Sequence, residues 1–132
     1  MTSILIVDDD KQVAAAIRMA LEEEGYAVEV AHDAATARRI VGAPSRPDAC
    51  LLDVFMDGED GLALAAELQG EGAPPVVIMS GGGPGRSLES VTARADALGA
   101  VAVLFKPFDD DELLDAVRRA TGERADGASP DG

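Results

Sequence analysis

Short apolar runs alternate along the chain with segments in which apolar residues recur every third or fourth position. Five runs are predicted to be strands, at 4–7, 27–31, 49–52, 76–79 and 101–105. Each is followed by a helical periodicity, such as Val13, Ile17 and Leu21 after the first run. This alternation is typical of strands covered by helices on both faces of a mainly parallel sheet. The pattern therefore predicts an α/β fold with five strands and five helices.

Residues between these segments mark where the elements begin and end. Asp10 and Asp33 directly precede helical segments and are predicted N-caps, and Asp109 with Glu112 forms a predicted capping box. The second strand, which alternates at Glu29, is predicted to lie near the sheet edge. From about position 121 the chain turns to Gly, Ala, Ser, Pro and Asp. We therefore expect one folded domain over residues 1–120 and a flexible tail over 121–132.

Composition narrows the functional classes. A formal charge of −14 disfavours direct binding of nucleic acid, whose phosphates need clustered Lys and Arg. The opening residues do not resemble a secretory signal, and no stretch reaches the roughly 20 apolar residues that a membrane span requires. Cys50, the single cysteine, lies in an apolar run and is most simply a buried small hydrophobe. We expect a cytoplasmic protein that binds neither nucleic acid nor membrane.

Candidate chemistry collects where the predicted strands end. Ligands of an open parallel sheet bind outside the carboxyl ends of its strands. The residues placed there are Asp8, Asp9 and Asp10, then Asp53, Ser80 and Lys106. Asp10 is more readily explained as an N-cap than as a ligand. Separate caps and turns do not explain why the others all fall at carboxyl ends. Clustered carboxylates without His or Cys favour a hard cation such as Mg²⁺, and one carboxylate could serve as a nucleophile for a phosphoryl group.

Four segments of the chain resemble the receiver domain of two-component response regulators. They are the opening strand with its acid pair (4–9), residues 51–56 with Asp60-Gly61, the pair Ser80-Gly81, and Phe105-Lys106-Pro107-Phe108. The resemblance covers about residues 3–120. It implies a doubly wound, flavodoxin-like or CheY-like sheet of five parallel strands in the order 2-1-3-4-5, flanked by five helices.

The resemblance also implies roles for the matching residues. Asp53 would accept the phosphoryl group. Asp9 and Asp53, with the backbone carbonyl of Phe55, would bind Mg²⁺ or Mn²⁺ directly, and Asp8 would help through water. Lys106 would pair with Asp53 and then with the phosphoryl group.

Two further positions and the partners complete this expectation. Ser80 and the Gly81 amide would hold phosphoryl oxygens. The donor would be a sensor histidine kinase or a histidine phosphotransfer protein. A stand-alone receiver would pass its signal to a downstream protein by direct contact, with no catalysis beyond its own phosphorylation and dephosphorylation.

The sequence departs from the receiver pattern in four places. Asp57 stands where the family commonly has proline, and the glycine-rich loop after Ser80 is a few residues longer than usual. Val103 replaces the usual switching Tyr or Phe, so signalling is expected to use another route or surface. Bulky Phe55 occupies a position where a polar side chain could place an attacking water. We expect Phe55 to shield the acyl phosphate and slow its hydrolysis.

Two alternatives remain open from the sequence. A receiver-like binding module could signal through its surface without regulated phosphorylation, a hypothesis that Val103 and Asp57 favour weakly. Asp8-Asp9-Asp10 also contains the Asp-x-Asp of a haloacid dehalogenase-type phosphatase. Gln12 disfavours that phosphatase, because a Thr or Val is expected there.

Overall fold

A computed structural model describes residues 2–56, 59–70, 72–81 and 88–122. The strands are β1 (Ser3–Val7), β2 (Ala27–Ala31), β3 (Ala49–Asp53), β4 (Phe55–Met56), β5 (Glu59–Asp60), β6 (Val76–Ser80) and β7 (Ala102–Phe105). The helices are α1 (Lys11–Glu23), α2 (Ala34–Val41), α3 (Gly61–Glu67), α4 (Leu88–Leu98) and α5 (Asp110–Thr121).

Five strands form one parallel sheet in the order β2-β1-β3-β6-β7. Counted along the chain within this sheet alone, the order is 2-1-3-4-5, and β2 lies at an edge as predicted. The α/β fold is confirmed. The predicted strands were one residue too short at the carboxyl ends of β3 and β6, and the last strand begins at Ala102 instead of residue 101.

A small antiparallel ribbon, β4 with β5, was not predicted. Its strands contain two residues each, which is too short to produce a hydrophobic periodicity. The ribbon begins two residues after Asp53 and leads directly into α3.

The sheet separates two apolar cores, because alternate residues of a strand point to opposite faces. On one face Leu5 and Val7 pack with α2, α3 and α4. On the other face Ile4 and Ile6 pack with α1 and α5. The central strands are therefore apolar on both sides, which explains their continuous apolar runs.

The predicted helix starts are confirmed by the cap contacts. The Asp10 carboxylate accepts hydrogen bonds from the Gln12 and Val13 amides, and Asp33 accepts one from Thr36. Both halves of the Asp109 capping box are present. Helix α5 ends at Thr121 with Gly122 as its C-cap, and residues 123–132 of the predicted tail (121–132) lie outside the described residues. Across the described ranges, none of the helices has the length and apolarity to cross a membrane.

Candidate functional site

The fold brings the predicted polar residues together at one edge of the sheet. Asp8 directly follows β1, Asp53 ends β3, Ser80 ends β6 and Lys106 follows β7. Three of these side chains are buried, since Asp8 is 0%, Asp53 7% and Ser80 2% exposed. Burying polar groups is costly unless they have partners, so each should be held by specific contacts.

Lys106 links the two buried carboxylates. Its Nζ donates to Asp8 Oδ2 at 3.0 Å and to Asp53 Oδ1 at 3.0 Å. The sequence predicted the contact with Asp53 but not the one with Asp8. That second contact joins residues 98 positions apart in the chain, and nothing in the local sequence indicates it.

Asp9 completes an acidic cluster with these two residues. One carboxylate oxygen from each of Asp8, Asp9 and Asp53 lies within 4.8 Å of the others. One ammonium can offset at most one of three carboxylate charges, so excess negative charge remains in a largely buried place. An all-oxygen donor set of this kind suits a hard divalent cation such as Mg²⁺.

The pKa values of Asp53 and Lys106 reflect this excess of negative charge. Burial raises the pKa of Asp53, and the charges of Asp8 and Asp9 add to that effect, so that together they outweigh the opposing Lys106 contact. Burial works to lower the pKa of Lys106, but its hydrogen bonds and charge interactions with Asp53 and Asp8 outweigh it and raise the pKa. The lysine is therefore held charged, whereas the Asp53 carboxylate lies in a place that disfavours its negative charge.

Asp8 is fixed by contacts on every polar atom of its side chain and backbone. Its amide donates to the Ala31 carbonyl at 3.1 Å, and its Oδ1 accepts from the Asp10 amide at 2.9 Å. Its carbonyl oxygen lies 3.0 Å from Nδ1 of His32. His32 is not among the residues predicted from the sequence, because an isolated histidine after an edge strand carries no motif.

Ser80 and Gly81 lie beside Lys106. The Lys106 amide donates to the Ser80 carbonyl at 2.8 Å, which continues the β6–β7 pairing beyond Phe105. A Cβ added at Gly81 would lie 3.8 Å from Cδ of Lys106. The carboxyl end of β6 is therefore joined to the segment that carries Lys106, as expected for the aligned ends of parallel strands.

The segment after Asp53 is closely packed against it. Asp60 caps α3 by accepting from the Leu62 and Ala63 amides. The Gly61 amide donates to the Val54 carbonyl at 2.5 Å, and a Cβ at Gly61 would lie 1.8 Å from the Asp53 carbonyl oxygen. Glycine is thus required here for a close approach, which explains the Asp60-Gly61 pair.

The structure describes only some of the positions that depart from the receiver pattern. Phe55 is 52% exposed, and Val103 is partly buried in β7, paired with Ile78 of β6. Asp57 and most of the glycine-rich loop (82–87) lie outside the described residues. Asp10 uses its carboxylate as a helix cap, so it does not act as the second acid of an Asp-x-Asp phosphatase motif.

Comparison with known proteins agrees with this arrangement. Residues 4–118 match the model of the response regulator receiver domain. The chain is similar to Response regulator MprA of Mycobacterium tuberculosis, with 40% identity over 118 residues that cover 87% of this chain and 48% of that protein. The chain thus spans about half the length of the curated relatives it matches.

Solved structures of receiver proteins have the same fold. A response regulator receiver protein from Burkholderia phymatum is 33% identical, with a TM-score of 0.82 and coverage of 95% of this chain and 98% of that one. The receiver domain of NtrX from Brucella abortus is 31% identical, with a TM-score of 0.79 and coverage of 90% and 98%. This chain belongs to the response regulator receiver domain family, and the phosphatase alternative is therefore wrong.

Proposed function

We propose that this chain accepts a phosphoryl group on Asp53 in a reaction that depends on Mg²⁺ or Mn²⁺. The observation that carries the proposal is the arrangement of Lys106, which contacts both Asp8 and Asp53 at 3.0 Å beside the third acid, Asp9. A buried carboxylate with a fixed ammonium next to it and neighbouring metal ligands is suited to phosphoryl transfer.

The transfer is a displacement at phosphorus. An Asp53 carboxylate oxygen forms the new O–P bond, the P–N bond of the donor phosphohistidine breaks, and its electron pair returns to the imidazole nitrogen. Lys106 then neutralises charge on the phosphoryl oxygens, and Ser80 and the Gly81 amide donate hydrogen bonds to them. Their position beside Lys106 supports these roles.

The metal site would use the acidic cluster. Asp9 and Asp53 would bind the cation directly together with the Phe55 backbone carbonyl, and Asp8 would act through water because Lys106 and the Asp10 amide already occupy its oxygens. When bound, the cation supplies charge neutralisation on the transferring group.

The partners follow from this chemistry. The phosphoryl donor is a sensor histidine kinase or a histidine phosphotransfer protein, and the signal passes to a downstream protein by contact. The receiver unit spans about residues 1–120, with the remainder as a tail. We propose no enzymatic activity beyond phosphorylation and dephosphorylation of the chain itself.

Intact-mass measurement after incubation with Mg²⁺ and acetyl phosphate tests the proposal. We expect one phosphate adduct on the wild type, none on Asp53→Asn and none when Mg²⁺ is removed by chelation. The matched control is Asp111→Asn, the same change at an exposed position in the first turn of α5, which should be phosphorylated like the wild type.

The other outcomes are equally decisive. An adduct that persists in Asp53→Asn would overturn the assignment of the acceptor. Complete absence of an adduct on the wild type would favour the receiver-like module that signals without phosphorylation.

A further inference from the structure

The only histidine of the chain, His32, directly follows β2 and makes a contact that no receiver motif in the sequence predicts. Its Nδ1 lies 3.0 Å from the backbone carbonyl oxygen of Asp8. The side chain itself is exposed, so burial of its ring does not explain why it lies there. Any effect of this contact is therefore expected to act through the Asp8–Asp9 peptide, whose carbonyl oxygen it reaches.

The chemistry of this contact fixes the state of the ring. A carbonyl oxygen can only accept a hydrogen bond, so Nδ1 must carry the proton. A neutral ring is then the Nδ1–H tautomer, and the charged ring donates in the same way. The direction of the bond does not depend on the charge of the ring.

The peptide that accepts this bond joins Asp8 to Asp9. The Asp8 side of it is already fixed, because its amide binds the Ala31 carbonyl and its carboxylate binds the Asp10 amide and Lys106. Asp9 is half-buried, and one of its carboxylate oxygens lies within 4.8 Å of an oxygen from each of Asp8 and Asp53. The orientation of the Asp8–Asp9 peptide contributes to the direction of the Asp9 Cα–Cβ bond, and therefore to where the Asp9 carboxylate can reach.

We infer that His32 is a positioning residue for the metal site. By holding the Asp8 carbonyl, its Nδ1–H fixes the peptide plane from which Asp9 extends toward Asp8 and Asp53. Groups that orient metal ligands from behind commonly affect metal affinity strongly, which is the effect expected here. This inference rests on the proposed metal-dependent function.

The first test needs no variant. NMR of the His32 ring nitrogens in the wild type at alkaline pH should show the proton on Nδ1. A proton on Nε2 would leave a lone pair on Nδ1 facing a carbonyl lone pair, and it would overturn the inference.

The second test measures Mg²⁺ affinity by titration, followed through backbone amide NMR shifts. His32→Ala should weaken binding by about tenfold. His32→Asn should restore most of the affinity, because its side-chain amide places a donor where Nδ1 stands. The matched control is Asp33→Ala, which removes the α2 cap beside His32 and should lower stability while leaving Mg²⁺ affinity unchanged.

The outcomes separate this inference from the proposed function. If the wild type does not bind Mg²⁺, the metal-dependent function fails and the inference fails with it. If the wild type binds Mg²⁺ and His32→Ala binds it equally well, the inference alone is wrong. Equal loss of affinity in His32→Ala, His32→Asn and Asp33→Ala would also overturn it, since that result would indicate general loosening of the segment.

Discussion

The two ends of the sheet differ in where their acidic residues lie and in what those residues contact. At the carboxyl end, Asp8, Asp53 and Ser80 are buried, and two carboxylates share one lysine. At the amino end, exposed Asp48 accepts a hydrogen bond from the Ser3 amide at 2.8 Å, and its own amide donates to Ser3 at 2.7 Å. The amino end uses an acid to support the backbone, whereas the carboxyl end concentrates acids where burial and repulsion disfavour them.

Within this fold, acids that support the backbone and acids suited to bind a ligand therefore lie at opposite ends of the sheet. Residues that cluster like charges in a buried place lower the stability of the protein unless a ligand offsets them. Their presence at one end alone among the described residues indicates where a ligand acts. Substitution of an acid by alanine should therefore change stability in opposite directions at the two ends.

The largest effect is expected where the carboxyl end is most closely packed. Gly61→Ala places a Cβ 1.8 Å from the Asp53 carbonyl oxygen, so the backbone must move, and we expect a loss of about 2–3 kcal/mol. Gly42→Ala is the control, since its Cβ would meet its nearest atom at 3.3 Å and its φ of −80° suits alanine. Urea unfolding followed by circular dichroism measures both. Equal losses would contradict the close packing at Asp53.

The next effect concerns the lifetime of the phosphorylated site. The Phe55 ring is half-exposed two residues after Asp53, and it is expected to keep water from the acyl phosphate. Phe55→Asn should release phosphate about tenfold faster, equivalent to about 1.4 kcal/mol in the barrier. Met19→Asn replaces another exposed apolar residue, on α1, and should leave the rate unchanged. An unchanged rate in Phe55→Asn would refute the shielding role.

The same substitution should have opposite signs at the two ends. Without metal, Asp9→Ala removes repulsion between carboxylates whose oxygens lie within 4.8 Å and should stabilise the fold by about 1 kcal/mol. Asp48→Ala removes the hydrogen bond to Ser3 and should destabilise it by about 1 kcal/mol. Urea unfolding in a chelator measures both, and Mg²⁺ should then stabilise the wild type more than Asp9→Ala. Destabilisation by both changes would contradict the proposal that acids at the two ends affect stability in opposite directions.

The smallest effect is expected for ion pairs at the protein surface, which should contribute equally little at either end. Arg94 donates to Asp60 at 2.9 Å near the carboxyl end, and Arg118 pairs with Glu24 at 3.5 Å near the amino end. Arg94→Met and Arg118→Met should each cost about 0.5 kcal/mol at neutral pH. A loss several times larger for Arg94→Met would show that surface ion pairs at the carboxyl end also contribute more to stability than those at the amino end.

The Arg94 pair should also depend on pH. Burial works to raise the pKa of Asp60, but hydrogen bonds from Arg94 and the α3 amides outweigh it and lower the pKa. A lowered pKa gives stability that is present above the ordinary value of 3.8 and is lost as the pH falls below it. The difference between wild type and Arg94→Met should therefore narrow on acidification, and a difference that grows would contradict the pairing.

The sequence predicted the strands and helices whose residues follow a recurring apolar pattern or a helix-cap pattern. Apolar runs and caps gave the sheet, the helices and the starts at Asp10, Asp33 and Asp109, because these features depend on residues close in the chain. The gathering of Asp8, Asp53, Ser80 and Lys106 also followed, since parallel strands align their carboxyl ends.

The features that were missed carry no recurring pattern in the sequence, and two of them are contacts between distant residues. The Lys106 contact with Asp8 and the His32 contact with the Asp8 carbonyl join segments that no local pattern links. The β4–β5 ribbon is too short for periodicity, and the Gly61 approach to Asp53 is visible only once α3 is placed. The missed features thus share the lack of a recurring pattern in the sequence, whether their residues are distant or close in the chain.

The strand order affects which part of the site opens first when the sheet unfolds locally. The acids extend from β1 and β3, which have neighbours on both sides, whereas Lys106 follows β7 at an edge. Edge segments open locally at lower free energy than the interior of a sheet, and hydrogen exchange reports such openings. Fraying of β7 alone would withdraw the ammonium and leave three carboxylates facing one another. The amides of β7 should therefore exchange before those of β1 and β3, and electrostatic repulsion among the acids would accompany each such opening.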